Sequence, residues 1–188
     1  MPDLRVASAR AGNVIGGGDW AADRIVADCI RAWRDGGRVQ IRSPAATRPW
    51  QHVLEPLSGY LALAQALADD ATLDGESFNF GPRGEQNATV VELLRDLAQV
   101  WGFDTPDDSF VVVDNIPFHE AGLLKLNIDK ALLRLRWTPN LFYEECVDLT
   151  GNWYRRVVRD GEDAHAVTRE HIDRYLELAR DRQLVWCS

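Results

Sequence analysis

The sequence predicts a mixed α/β fold on three observations. Short β-prone runs alternate with amphipathic helical periods along all 188 residues, no repeat or low-complexity linker separates them, and 46% hydrophobic content can furnish a core. That length fits one ordinary domain or a large piece of a bigger one.

Leu4 to Ala11 (Leu-Arg-Val-Ala-Ser-Ala-Arg-Ala) alternates and reads as a strand. Gly12 to Trp20 is glycine-rich and predicts a binding loop or hinge. Ile25, Val26, Cys29, Ile30 and Trp33 recur at helical spacing, so a helix is expected over 23–33, stopped by Gly36-Gly37. Arg38 to Ile41 is a short strand ended at Ser43-Pro44, and Trp50 to Val53 is a second extended piece. Glu55-Pro56 opens a helix, because proline suits a first turn; Leu57, Leu61, Leu63, Ala64 and Leu67 form its expected apolar face. Ser77 to Pro82 is a strand and turn. Thr89 and Glu92 have the spacing of a capping box, starting a helix toward Trp101. Phe110–Val113 and Leu123–Ile128 are strand candidates. Asp129 is placed as the cap of a short helix to Arg136, and helices follow over 142–158 and 164–182. The last is polar apart from a stripe at Val167, His171, Ile172, Tyr175 and Ala179.

A formal charge of -8 argues against a general nucleic-acid or membrane-surface binder, which needs a basic face. Any phosphate must therefore meet a few placed arginines, whose planar guanidinium can donate a pair of hydrogen bonds. Cys29, Cys146 and Cys187 are odd in number and widely spaced, fitting reduced thiols rather than a disulfide framework. Cys29 sits on its helix's apolar face and reads as a small hydrophobe. The four histidines are scattered without a zinc signature. With no apolar leader and no run near the ~18 residues of a membrane span, cytoplasmic location is the default.

Gly16, Gly18 and Ala21 match G-x-G-x-x-[GA] between a predicted strand and a predicted helix, the context of a dinucleotide fingerprint. Read that way, the chain is a small NAD-binding domain. Asp19 and Trp20 oppose it, adding negative charge and bulk beside a would-be pyrophosphate. The next strand ends at Arg42 with no acidic residue for ribose hydroxyls.

Three strings carry a more specific resemblance. Arg10-Ala11-Gly12-Asn13-Val14-Ile15-Gly16-Gly17-Gly18-Asp19-Trp20 is similar to the segment after the sixth sheet strand in extended short-chain dehydrogenases acting on sugar nucleotides. The run from Arg48-Pro49-Trp50-Gln51-His52-Val53-Leu54-Glu55-Pro56 to Leu61, and His119-Glu120-Ala121 with Leu124-Lys125-Leu126, resemble the CDP-glucose 4,6-dehydratase family within that group. The similarity of order covers 4–156. It implies an α/β fold comprising the C-terminal substrate-binding lobe and the last sheet strands of a Rossmann-type extended short-chain dehydrogenase. Residues 1–160 are then the substrate-binding portion, with the N-terminal NAD-binding part absent, and 161–188 a helical extension.

The resemblance also implies site residues. Asn13 lies between nicotinamide and substrate diphosphate, Arg24 and Arg48 near the sugar-nucleotide phosphates, and His119 on a segment closing over the nucleotide. Ala11 adjoins the cofactor, and Trp20 and Trp50 are candidates to flank the ligand. The family oxidises the sugar at C4 with NAD, eliminates water across C5 and C6 and returns hydride to C6, using a Y-x-x-x-K pair. Here Tyr60, Tyr143, Tyr154 and Tyr175 are followed at the fourth position by Ala64, Val147, Val158 and Ala179, so the pair does not occur. Glu120 beside His119 is a weak acid/base candidate, because adjacent strand residues face opposite ways. The expectation is a CDP-hexose-binding half, silent alone and binding no NAD alone, completed by a separate N-terminal NAD-binding polypeptide. A non-catalytic nucleotide-sugar module and a poorly folding fragment remain as rivals. The strand at 4–11 is expected to expose unpaired backbone, making the chain marginally stable or oligomeric.

Overall fold

The structure, a computed structural model, describes residues 4–113 and 125–187. In chain order the described elements are β1 (Ser8–Ala11), β2 (Asn13–Ile15), α1 (Ile25–Arg34), β3 (Val39–Ile41), β4 (Thr47–Arg48) and β5 (Trp50–His52). There follow α2 (Leu54–Asp69), β6 (Ser77–Phe80), β7 (Ala88–Thr89), α3 (Val90–Trp101) and β8 (Phe110–Val112). Helices α4 (Asp129–Leu135), α5 (Tyr143–Tyr154) and α6 (Ala164–Asp181) follow, with short 3-10 and π turns between and after these elements.

The strands pair two by two across long sequence separations. β1 runs parallel to β6, β2 to β5 and β3 to β8, while β4 and β7 are antiparallel. The strand expected over 4–11 is confined to Ser8–Ala11, and it is paired: Ser8 faces Ser77 and Ala11 faces Phe80. Only its other edge lacks a strand partner among the described residues. The loop expected over 12–20 contains β2, stabilised by pairing of Asn13 with Trp50. Lys125 to Ile128 form no strand, contrary to expectation, and Asp129 is the first residue of α4 rather than its cap. The capping contact there is Asn127 Oδ1 accepting from the Asp129 N–H at 3.0 Å.

The largest core cluster lies between α1, α3 and α5, around Trp33, Trp50, Trp101, Trp153 and Tyr154. Helix α3 starts at the capping box read from sequence. The Thr89 hydroxyl accepts from the Glu92 N–H at 3.2 Å and Glu92 Oε2 accepts from the Thr89 N–H at 2.7 Å. A second cluster joins α2, β6 and α4 through Leu63, Phe78, Phe80 and Ala131, with Trp137 just beyond α4. Here the helix face differs in part from expectation: Leu63 is buried and Leu67 half-buried, but Leu57 and Leu61 are 46% and 73% exposed and Ala64 is exposed, while Glu55, Pro56 and Gly59 are buried. Phe80 sets this orientation by packing on bare Gly59, where an added Cβ would lie 2.2 Å from its ring. The stripe expected on α6 is buried at Val167, His171, Tyr175 and Ala179 but not at Ile172.

Candidate functional site

The candidate site forms where β2 turns into α1. Two neighbouring clefts, of about 550 and 420 Å³, share Asn13, Gly16, Asp19 and Arg24. The first adds Ala11, Pro49, Val53 and Lys125; the second adds Arg42, Arg48 and Trp50. The structure thus brings Ala11, Asn13, Arg24 and Arg48 to one region, with Trp50 in its wall. His119 lies outside the described residues. Trp20 lines neither cleft and stands edge-on to Tyr154, with ring centroids 5.6 Å apart.

Arg24 occupies the N-cap position of α1 in extended conformation, and among the described residues no side chain caps that helix end. The first turn therefore presents backbone N–H groups and the positive end of the helix dipole to the second cleft, beside an exposed Arg24. Arg48 is held differently. It is buried on β4, and its Nη1 donates to the Thr47 carbonyl at 2.8 Å. Trp50 Nε1 donates to the Ala88 carbonyl at 3.1 Å, fixing β5 against β7. Negative charge is present but partly committed: Asp28 pairs with Arg31, and Asp19 Oδ1 accepts from the Ala21 N–H at 3.0 Å. Arg42 and Lys125 also line the clefts, and Lys125 Nζ donates to the Gly84 carbonyl at 2.9 Å. Arg42 carried no motif that would have singled it out.

The glycine loop is not built as a dinucleotide turn. β2 and β3, on either side of α1, belong to different pairings, so no single-sheet βαβ unit surrounds it among the described residues. Gly17 lies against Trp153, whose ring would stand 2.1 Å from an added Cβ. An indole thus fills the space beside Gly17, between the two glycines of the dinucleotide pattern, and Val53 would lie 2.8 Å from a Cβ added at Gly16.

The β5–α2 junction beside the first cleft is anchored by buried polar groups. Burial holds His52 neutral, lowering its pKa to about 3, with the neighbouring His171 acting in the same direction. Its Nδ1 accepts from the Leu54 N–H at 3.3 Å. Glu55 accepts from the Asn140 N–H at 3.0 Å, the Leu141 N–H at 2.6 Å and the Tyr175 hydroxyl at 3.2 Å. Burial nevertheless dominates and raises its pKa to about 7. This tie from α2 to α6 was missed in the sequence because its partners lie 85 and 120 positions away. Burial also pushes the Cys29 thiol well up, consistent with its reading as a small hydrophobe.

Fold and sequence together define the class: the chain belongs to the extended short-chain dehydrogenases, the NAD-dependent epimerase and dehydratase family, and represents its C-terminal portion. In particular, it is similar to the CDP-glucose 4,6-dehydratase of Salmonella typhimurium, at 42% identity over 173 residues. That match covers 91% of this chain and 46% of the relative, so the chain spans about half of that protein's length. Among solved structures it resembles UDP-glucuronic acid 4-epimerase from Bacillus cereus in complex with UDP-glucuronic acid and NAD (TM-score 0.64, 17% identity, 79% of this chain and 45% of that one). It also resembles dTDP-glucose 4,6-dehydratase from Bacillus anthracis in complex with NAD (TM-score 0.63, 19% identity, 80% and 44%). A third neighbour is UDP-glucose 4-epimerase from Thermotoga maritima with UDP-glucose (0.65, 24%, 82% and 47%). At such identities these structures establish the fold alone. No family model matches the chain. Among the described residues no helix is long and apolar enough to cross a membrane.

Proposed function

We propose that this chain binds a CDP-hexose as the substrate-side portion of a CDP-glucose 4,6-dehydratase. The observation that carries the reading is the gathering of Asn13, Arg24 and Arg48 around the uncapped start of α1, in a chain 42% identical to an enzyme of that name. A diphosphate needs charge-assisted donors, and two guanidinium groups beside free helical N–H groups supply them. His119 is assigned to the segment closing over the nucleotide, and Ala11 to the wall nearest the cofactor.

Hydride transfer and proton shuttling belong, on this reading, to an NAD-binding portion, whether joined to this chain or carried by a separate polypeptide. The surface assigned to it comprises the edge of β1 that lacks a strand partner among the described residues and the exposed Leu57, Tyr60 and Leu61 of α2. The polypeptide of this sequence is then silent toward CDP-glucose by itself.

Calorimetric titration with CDP-glucose, CDP and NAD in parallel tests the assignment. Binding of the two CDP ligands but not NAD, weakened at least about tenfold by Arg24→Ala, is the expected result. Binding of NAD alone would revive the glycine-loop reading, and turnover of CDP-glucose would overturn the claim of silence.

A further inference from the structure

The loop shared by both clefts is held from behind by α5. Tyr154, fully buried, donates its hydroxyl to the Asp19 carbonyl at 2.8 Å. Its neighbour Trp153 covers Gly17 and is fixed in turn by Nε1 donating to the Thr168 hydroxyl of α6 at 2.8 Å. Arg31 holds the next stretch, donating to the Trp20 and Ala21 carbonyls at 3.0 and 3.2 Å. Directly after Tyr154 the helix widens into a π-turn, Arg155–Arg159, where the Asp160 N–H donates to the Arg155 carbonyl at 3.0 Å. Such widened turns recur where a helix serves a functional site. This one is anchored to the end of α3 by Arg159, which donates to the Trp101 carbonyl.

We propose that Tyr154 is a positioning residue for ligand binding. Through the Asp19 carbonyl it fixes the 16–20 loop so that the Asp19 carboxylate stays turned to the Ala21 N–H and the start of α1 stays open. The role rests on the sugar-nucleotide reading of the clefts. Tyr154 lines neither cleft, so it acts only through the loop. Gly18, at φ +81°, gives that loop a backbone turn with little intrinsic preference for holding its shape, which is why an external tie matters.

Tyr154→Phe removes only the hydroxyl. The full chain carrying it is compared with wild type by titration with CDP-glucose and by hydrogen exchange of peptides covering 12–22 and 90–101. Expected are about fivefold weaker binding and faster exchange at 12–22 with 90–101 unchanged, a local signature that general loosening would not give. Gly17→Ala is the companion variant: it displaces the loop from the Trp153 side and should weaken binding with Tyr154 intact. If wild type binds CDP-glucose and Tyr154→Phe binds it equally well, the positioning role is overturned while the substrate reading stands. If wild type does not bind, the substrate reading fails and the role falls with it.

Discussion

Replacing Glu55 by glutamine should change stability in a strongly pH-dependent way. The wild-type carboxyl is raised from 4.5 to about 7, chiefly by burial. Hydrogen bonds from Leu141, Asn140 and Tyr175, and the charge of Arg83, oppose the rise without cancelling it. The folded chain thus holds this proton more tightly than the unfolded chain. The group's contribution is full below about pH 4.5 and is lost as pH rises through about 7. At 1.36 kcal/mol per unit, that loss is about 3 kcal/mol. Glutamine keeps the shape, can accept from both backbone N–H groups, and does not ionise. Urea unfolding of both proteins from pH 5 to 9 gives the difference directly. The expected result is a gap of about 1 kcal/mol at pH 5 that widens until Glu55→Gln is more stable than wild type by up to about 3 kcal/mol above pH 8. His52 works oppositely, since its depressed pKa removes stability as pH falls from 6.5 toward about 3, but that contribution is common to both proteins and cancels. A difference that stays flat across the range would refute the dominance of burial at Glu55.

Thr89→Ala should lower stability by about 1 kcal/mol, read by urea unfolding, because it deletes one half of a capping box whose two hydrogen bonds are both formed. Glu55→Ala, unlike Glu55→Gln, should destabilise at every pH by about 3 kcal/mol or more, leaving two buried N–H groups without an acceptor; circular-dichroism melts check it. The double variant Leu57→Lys with Leu61→Lys should reduce self-association of the polypeptide in sedimentation velocity without lowering its melting temperature, since both side chains are exposed. Unaltered association would separate that face from the surface assigned to the NAD-binding portion.

Local chemistry was the legible part of the fold. The Thr89–Glu92 box and the start of α6 depend on residues three apart, and both lie where the sequence put them. Most of what failed depended on distant partners; the cap of α4 did not, since Asn127 lies only two residues before Asp129. β2 exists because β5 lies alongside it, and nothing in Asn13-Val14-Ile15 alone announces that pairing. The leucines of α2 gave a sound helical period but only part of the buried face: Leu63 packs in the core, whereas Gly59 admits Phe80 and so turns Leu57 and Leu61 outward. Ala11, Asn13, Arg24 and Arg48, the positions the resemblance implies, line the two clefts together, but the resemblance did not point to Arg42, which reaches the cleft only because β3 ends there.

The glycine loop shows why a motif and its geometry must be argued separately. Its spacing and context satisfied a dinucleotide pattern, but protein side chains take the space its glycines leave: Val53 would lie 2.8 Å from a Cβ added at Gly16. In a dinucleotide turn, missing Cβ atoms admit phosphate; here Gly17, between the two motif glycines, admits the indole of Trp153. The strands flanking the loop are too short to hold it, since β2 and β5 share only three residue pairs. Its shape must come from side chains on α1, α5 and α6: Arg31, the Trp153–Tyr154 pair, and Thr168 behind the indole. A cleft whose wall is set by such distant tethers should be tuned by substitutions that never touch the ligand. Affinity changes in Tyr154 and Gly17 variants are accordingly a sharper probe of how this site works than removal of another cleft arginine.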